Sequence, residues 1–125
     1  MKQLAVAAVF ALAACQTAYR PGDATLLTGD DLVRHLAGRT VHGRYADGAT
    51  YREYYAPDGT VEYEDAEGRT TGRWMPVDDE VCYSYEDPGL GSACFNIFLR
   101  GDALEFVRDG ELSSDGIAVL EGMRL

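Results

Sequence analysis

Val81-Cys82-Tyr83-Ser84-Tyr85-Glu86-Asp87-Pro88-Gly89-Leu90-Gly91-Ser92-Ala93-Cys94-Phe95-Asn96-Ile97-Phe98-Leu99 decides how the rest of the chain is read. In the first run Val81, Tyr83 and Tyr85 share one face while Cys82 and Ser84 take the other, the period-2 pattern of a strand with one buried side. Phe95, Ile97 and Leu99 repeat the pattern after Cys94. Pro88 and Gly89 do not fit a central strand, so the chain turns between the runs. The resulting hairpin brings Cys82 and Cys94 roughly opposite each other. Two chemistries fit such a pair: a disulfide closing the loop, or two free thiols buried as small hydrophobes. The compartment decides between them.

Working outward, the same grammar repeats. Turn pairs stand at Asp47-Gly48, Asp58-Gly59, Glu67-Gly68, Gly101-Asp102, Asp109-Gly110 and Asp115-Gly116, with further loops at 78–80 and 87–91. β-branched and aromatic residues fill the intervals, which predicts a run of hairpins. Strands are expected near 40–45, 50–55, 60–65, 71–77, 81–85, 93–99, 104–107 and 116–120. The fold class is therefore mainly β: an antiparallel up-and-down meander of about eight short strands, forming a small barrel or a strongly curved sheet. Gly43, Gly72 and Gly116 are candidates for bends. One short helix precedes the strands. Thr28 is placed to cap it, Asp30 and Asp31 fill its first turn, Leu32, Val33 and Leu36 form its apolar stripe, and Gly38 ends it.

The N-terminus supplies the compartment. Met1-Lys2-Gln3 is followed by an apolar run from Leu4 to Ala14, too short to span a bilayer as a mature helix. Leu12-Ala13-Ala14-Cys15 resembles the lipobox of bacterial lipoproteins. That resemblance implies cleavage before Cys15, a lipid on its thiol and attachment to a membrane. Gln16 in place of aspartate points, within that family, to the periplasmic leaflet of the outer membrane. The expected organisation is a signal peptide over 1–14, lipidated Cys15 and a flexible tether over 15–27, and one β domain over 28–125. With Cys15 consumed by lipid in an oxidising space, Cys82 and Cys94 remain as an even pair and a disulfide is expected.

Removing the leader takes away the only lysine and leaves 10 arginines against 21 acids, a net charge of −11. Such a balance argues against nucleic acid and anionic lipid headgroups as direct partners. Its plain explanation is a solvated surface. Other chemistries find little support. Asp78-Asp79-Glu80 and Glu62-Glu64-Asp65-Glu67 lack the spacing of a calcium loop. Ser84, Ser92, Ser113 and Ser114 sit in no Gly-x-Ser-x-Gly elbow. His35 and His42, taken with the two cysteines, match no common zinc pattern. Arg100-Gly101-Asp102 reads as a hairpin turn. The expectation is no enzyme, no cofactor and no metal.

Aromatic residues carry what binding signal there is. Tyr51 and Tyr55 share a strand face and Tyr54 takes the other, so one face displays rings that could stack on a ligand, a glycan or a partner protein. Tyr51, Tyr54, Tyr55 and Trp74 are the candidate binding residues. The competing reading has tyrosine rings filling a small barrel with their hydroxyls left wet. The order Tyr55-Ala56-Pro57-Asp58-Gly59, Gly72-Arg73-Trp74, Cys82-Tyr83-Ser84-Tyr85 and Cys94 resembles small alphaproteobacterial envelope proteins of unknown function. That resemblance, over about residues 28–110, implies a buried Trp74 near a cross-strand bridge and carries no activity. The functional expectation is a lipid-anchored periplasmic module that binds an envelope protein or glycan or supports the envelope. The alternatives are a small-ligand carrier of lipocalin type and an inhibitor of a basic enzyme such as lysozyme.

Overall fold

The computed structural model describes residues 18–125. The leader expected over 1–14 and the lipidation expected at Cys15 lie outside the described residues. In chain order the elements are β1 (Thr25–Leu26), α1 (Asp30–Leu36), β2 (Arg39–Tyr45), β3 (Thr50–Tyr55), β4 (Thr60–Asp65), β5 (Gly68–Val77), β6 (Glu80–Tyr85), β7 (Ser92–Arg100), β8 (Ala103–Arg108) and β9 (Glu111–Glu121). From β2 to β9 each strand pairs antiparallel with the next. The sheet then closes because β9 also pairs with β2, from Arg39 opposite Glu121 to Tyr45 opposite Ser114. An eight-stranded up-and-down barrel results, with no free edge among those eight strands. β1 lies beside the C-terminal half of β7, where β6 has ended: Thr25 pairs with Leu99 and Leu26 with Phe98.

Alternation along the strands sets what goes inside. Val41, Tyr55, Val61, Val81 and Ile97 are fully buried, and Leu27, Leu32 and Leu36 seat against them. α1 thus plugs the barrel end near the 56–59 turn. Its first turn differs from expectation: the N-cap is Gly29, with no side-chain cap from Thr28. At the other end of the helix, Gly38 adopts φ 78° and donates its N–H to the Tyr55 carbonyl at 2.7 Å, which swings the chain into β2.

Glycines in the wall make room for rings. Gly43 pairs with Tyr51 across β2 and β3, and Gly72 pairs with Tyr85 across β5 and β6. At Gly43 the Tyr51 ring occupies the space a Cβ would fill; at Gly72 the Ser84 carbonyl oxygen takes that space, with the Tyr85 ring edge 3.0 Å from where the Cβ would stand. Gly116 stands beside a register shift between β2 and β9, as expected of a bend, but the turn expected at Asp115-Gly116 is absent. Asp115-Gly116 is not a turn but the middle of β9; the β8–β9 hairpin turns instead at Asp109-Gly110, both with positive φ. A Cβ on Gly116 would stand 3.0 Å from Val41 Cγ1 and 3.1 Å from Leu104 Cβ, so side chains of the neighbouring strands β2 and β8 fill the space beside this glycine. The strand that was expected to begin there instead begins at Glu111, and that expected over 104–107 runs from Ala103 to Arg108.

Cys82 and Cys94 are cross-strand partners and form a disulfide on the half-exposed outer face of the β6–β7 hairpin. The tether expected up to residue 27 departs from the structure after Ala18. Tyr19 donates its N–H to the Gly110 carbonyl at 2.8 Å, packs its ring 4.9 Å from Phe98, and donates its hydroxyl to Glu105. Arg100 holds Asp23 at 3.1 Å and the Pro21 carbonyl at 2.9 Å. Pro21 and Gly22 form a turn in this segment, and that turn is docked on the barrel.

Two measurements check this packing. Truncating the plug with Leu36→Ala is expected to lower stability by about 2–5 kcal/mol, read as a shift in urea midpoint. Replacing both Cys82 and Cys94 by alanine, which opens a loop with a sequence separation of 12, is expected to cost about 3 kcal/mol and to abolish any effect of reductant.

Candidate functional site

Opposite the α1 plug, the barrel end framed by the 46–49, 66–67, 86–91 and 109–110 turns is lined by tyrosines rather than aliphatics. β2 contributes Tyr45 near its end, β3 contributes Tyr51, β4 contributes Tyr63 and β6 contributes Tyr83 and Tyr85. These rings enclose a cavity of about 120 Å³, with Phe95, Phe106 and Ser114 on the far wall and Leu90 and Arg108 at its opening. The rings brace one another: Tyr51 stacks on Tyr63 at 5.6 Å, and Tyr63 meets Tyr85 edge-on at 5.8 Å. Wider hollows of about 390 Å³ and 680 Å³ on the outer surface are open clefts lined by no buried carboxylate.

Glu53 stands among these rings, only 4% exposed. It lies on β3 between Tyr51 and Tyr55, so the alternation that turns those two rings inward turns Glu53 inward as well. Two hydroxyls hold its carboxylate: Tyr55 donates to Oε1 at 3.0 Å, and Tyr85 donates to Oε2. Tyr83 in turn donates to the Tyr55 oxygen at 2.6 Å, and two further pairs, Tyr45–Tyr63 and Tyr51–Ser114, close at 2.7 Å each. Each buried hydroxyl therefore has a partner.

Charge at the site follows from burial. Desolvation pushes the Glu53 carboxyl up to about 7, and the hydrogen bonds from Tyr85 and Tyr55 pull it back only partway. Burial first, and the nearby Glu53 second, raise Tyr51, Tyr55, Tyr83 and Tyr85; burial also raises Tyr45 and Tyr63. The hydroxyls consequently stay neutral across the physiological range and act as hydrogen-bond donors, not as bases. Among the described residues no arginine or histidine pairs with Glu53.

Of the four aromatic residues expected to bind, the structure buries three. Tyr51 and Tyr55 face inward with 5% and 0% exposure, and Trp74 fills the plugged half, donating Nε1–H to the Ala56 carbonyl at 2.9 Å. Only Tyr54 points outward, so these residues do not form an exterior stacking platform. The strand pattern grouped Tyr51 with Tyr55 correctly; their face is the interior. Tyr51 alone of the four lines the cavity. Glu53 went unnoticed in the sequence, although its position two residues from each of Tyr51 and Tyr55 was the available signal. Alternation puts Tyr83 and Tyr85 on one face of β6, but only the tertiary fold brings them together with Tyr45 of β2 and Tyr63 of β4 around one opening.

The remaining candidates separate. Cys82 and Cys94 are consumed by their disulfide and cannot ligate a metal as thiolates. His35 places Nδ1 2.9 Å from the Asp31 carbonyl within α1, while His42 is half-buried on β2. No group of three metal-ligating side chains converges among the described residues. Fold and site together define a small closed β-barrel, plugged at one end and open at a tyrosine-lined mouth. No family model, curated protein or solved structure matches the chain.

Glu53 gives a pH test of this geometry. Its folded-state pKa of about 7 lies above its ordinary value of 4.5. Below the ordinary value both folded and unfolded chains carry the proton and the group is neutral in its effect. Between that value and about 7 the unfolded chain releases its proton first, so stability falls as pH rises, and it levels off above. Glu53→Gln is therefore expected to gain stability relative to the parent as pH goes from 5 to 8, by up to about 3 kcal/mol. Paired urea titrations at the two pH values read this difference and cancel the carboxylates common to both chains.

Proposed function

We propose that this chain is a non-enzymatic binding module, anchored to the bacterial envelope through lipidated Cys15, that takes a small ligand into the open end of its barrel. The observation that carries the reading is the asymmetry of the interior. One half is filled by Leu27, Leu32, Leu36 and Trp74, while the other keeps a cavity of about 120 Å³ lined by hydrogen-bonding side chains. A cavity of about 150 Å³ accommodates a benzene-sized molecule, so the ligand is compact, well below the size of a lipid. This favours the carrier reading, in reduced form, over a glycan or protein platform built from exposed tyrosines. Neutral, mutually hydrogen-bonded hydroxyls around one carboxyl support binding in preference to catalysis.

Native mass spectrometry of the full-length protein, extracted from its own host's envelope, tests both halves of the proposal. The native mass should exceed the denatured mass by a compound on the order of 100 daltons, the scale of a ligand filling such a cavity. That increment should vanish in Ala93→Leu, which places a larger side chain in the cavity wall. Equal native and denatured masses in the parent protein would remove the carrier reading. The denatured protein should also carry an acyl mass that disappears in Cys15→Ser; its absence from the parent would remove the anchor.

A further inference from the structure

Glu53 is the one buried charged side chain among the described residues, and it lines a cavity whose walls are mostly aromatic. A carboxylate offers about four lone-pair sites, of which Tyr55 and Tyr85 use one on each oxygen. Acceptor capacity therefore remains for a further donor or for a cation. Tyr51, Tyr63 and Tyr85 line the same space, and aromatic π-systems attract cations. The protein's own charges point the same way. Turns at this end carry Asp47, Glu67, Asp87 and Asp109, and the nearest arginine at the opening, Arg108, already places its guanidinium 6.0 Å from the centre of the Phe95 ring. An aromatic wall that holds one cation from the protein is suited to hold another from solution.

From this arrangement we infer that the barrel mouth binds small organic ammonium ions, with the Glu53 carboxylate as counter-ion and the tyrosines as an aromatic cage. The inference rests on the proposed role of the mouth as a binding site and names its ligand class. Size limits that class to compact ions of the methylated-amine kind, because the cavity is about 120 Å³. Arg108 stands at the opening and competes for the aromatic wall, so an incoming cation displaces it toward solvent and toward Asp109, 3.9 Å from its Nε.

The ligand's charge makes binding depend on the ionisation of Glu53. The groups facing that carboxyl are Tyr45 from β2, Tyr51 and Tyr55 from β3, Tyr63 from β4, Tyr83 and Tyr85 from β6, and Arg108 from β8. The tyrosines are all raised and remain neutral. Between pH 5 and 8 the carboxyl is the group that changes.

Tetramethylammonium, whose charge does not titrate, is the probe; tert-butyl alcohol is its neutral counterpart of similar shape. Calorimetric titration of the full chain at pH 8, with tyrosine ring signals followed by NMR, should show saturable binding of the cation and much weaker binding of the alcohol. At pH 5, where about one carboxyl in a hundred with a pKa near 7 is ionised, affinity should fall roughly 10- to 100-fold. Glu53→Gln should weaken binding roughly tenfold or more at pH 8 and remove the pH dependence; its folding is checked by the same urea titrations. Arg108→Ala should bind the cation as tightly as the parent or more so. Equal binding of cation and alcohol, or loss of binding in Arg108→Ala, would overturn the ammonium inference while leaving the mouth a binding site. If neither probe binds but the envelope-extracted protein carries a neutral or anionic compound, the inference fails and the binding function stands. If neither probe binds and nothing is carried, both fall.

Discussion

Closure of the sheet by β2 and β9 is the constraint on which the rest of the structure depends. Once Arg39–Tyr45 pairs with the 114–121 stretch, the inward faces of eight strands become a single enclosed volume. Every side chain on those faces must then pack or find a hydrogen-bond partner, because water reaches the interior only from the open end. An open curved sheet would have left Tyr45 and Ser114 at solvent-facing edges. In the barrel Ser114 of β9 bonds to Tyr51 of β3 across β2, a contact that closure alone makes possible, while Tyr45 of β2 bonds to Tyr63 of β4 across β3.

The enclosed volume is divided unequally, and the division has a chemical logic. Toward α1 the space is taken up by aliphatic groups that need no partner, with Trp74 satisfied by the Ala56 carbonyl. Toward the open end it is taken up by tyrosines, whose rings supply apolar area and whose hydroxyls can satisfy one another. Gly43 lets the Tyr51 ring lie against the wall, which a side chain at that position would prevent. A carboxyl buried among hydroxyls is then held by donors but not neutralised by a cation. Its desolvation is only partly offset, and it remains available to whatever positive charge enters.

The outer surface tells a simpler story. Acids crowd the turns at both ends and arginine is the only Lys/Arg-type cation after Lys2, so the surface carries a strong net negative charge. Most of its ion pairs are exposed, such as Arg34 with Asp31 and Arg69 with Glu64, and exposed pairs of this kind contribute little to stability. Arg100 differs in position: it links the 21–23 segment to Glu105, and so holds the chain preceding β1 against the barrel.

The strand periods, the Asp-Gly and Gly-Asp turns and the order of hairpins were legible in the sequence because they are local: alternation has period 2, and a positive-φ turn selects its residues directly. The pairing of Cys82 with Cys94 was legible for the same reason, since a single turn sets its register. Local pattern also showed that Tyr51 and Tyr55 share a face. It did not show which face is inside, because alternation states only that neighbours differ. That decision, and with it the burial of Glu53, came from the β2–β9 pairing between segments some seventy residues apart. The same long-range pairing holds Asp115-Gly116 inside β9 instead of in a turn, with Val41 of β2 and Leu104 of β8 filling the space beside the glycine. The amino-acid sequence by itself determined the meander; only the tertiary structure decided that its tyrosines face one another across a cavity. Closure is a property of two distant edges meeting, and no local run of residues encodes it.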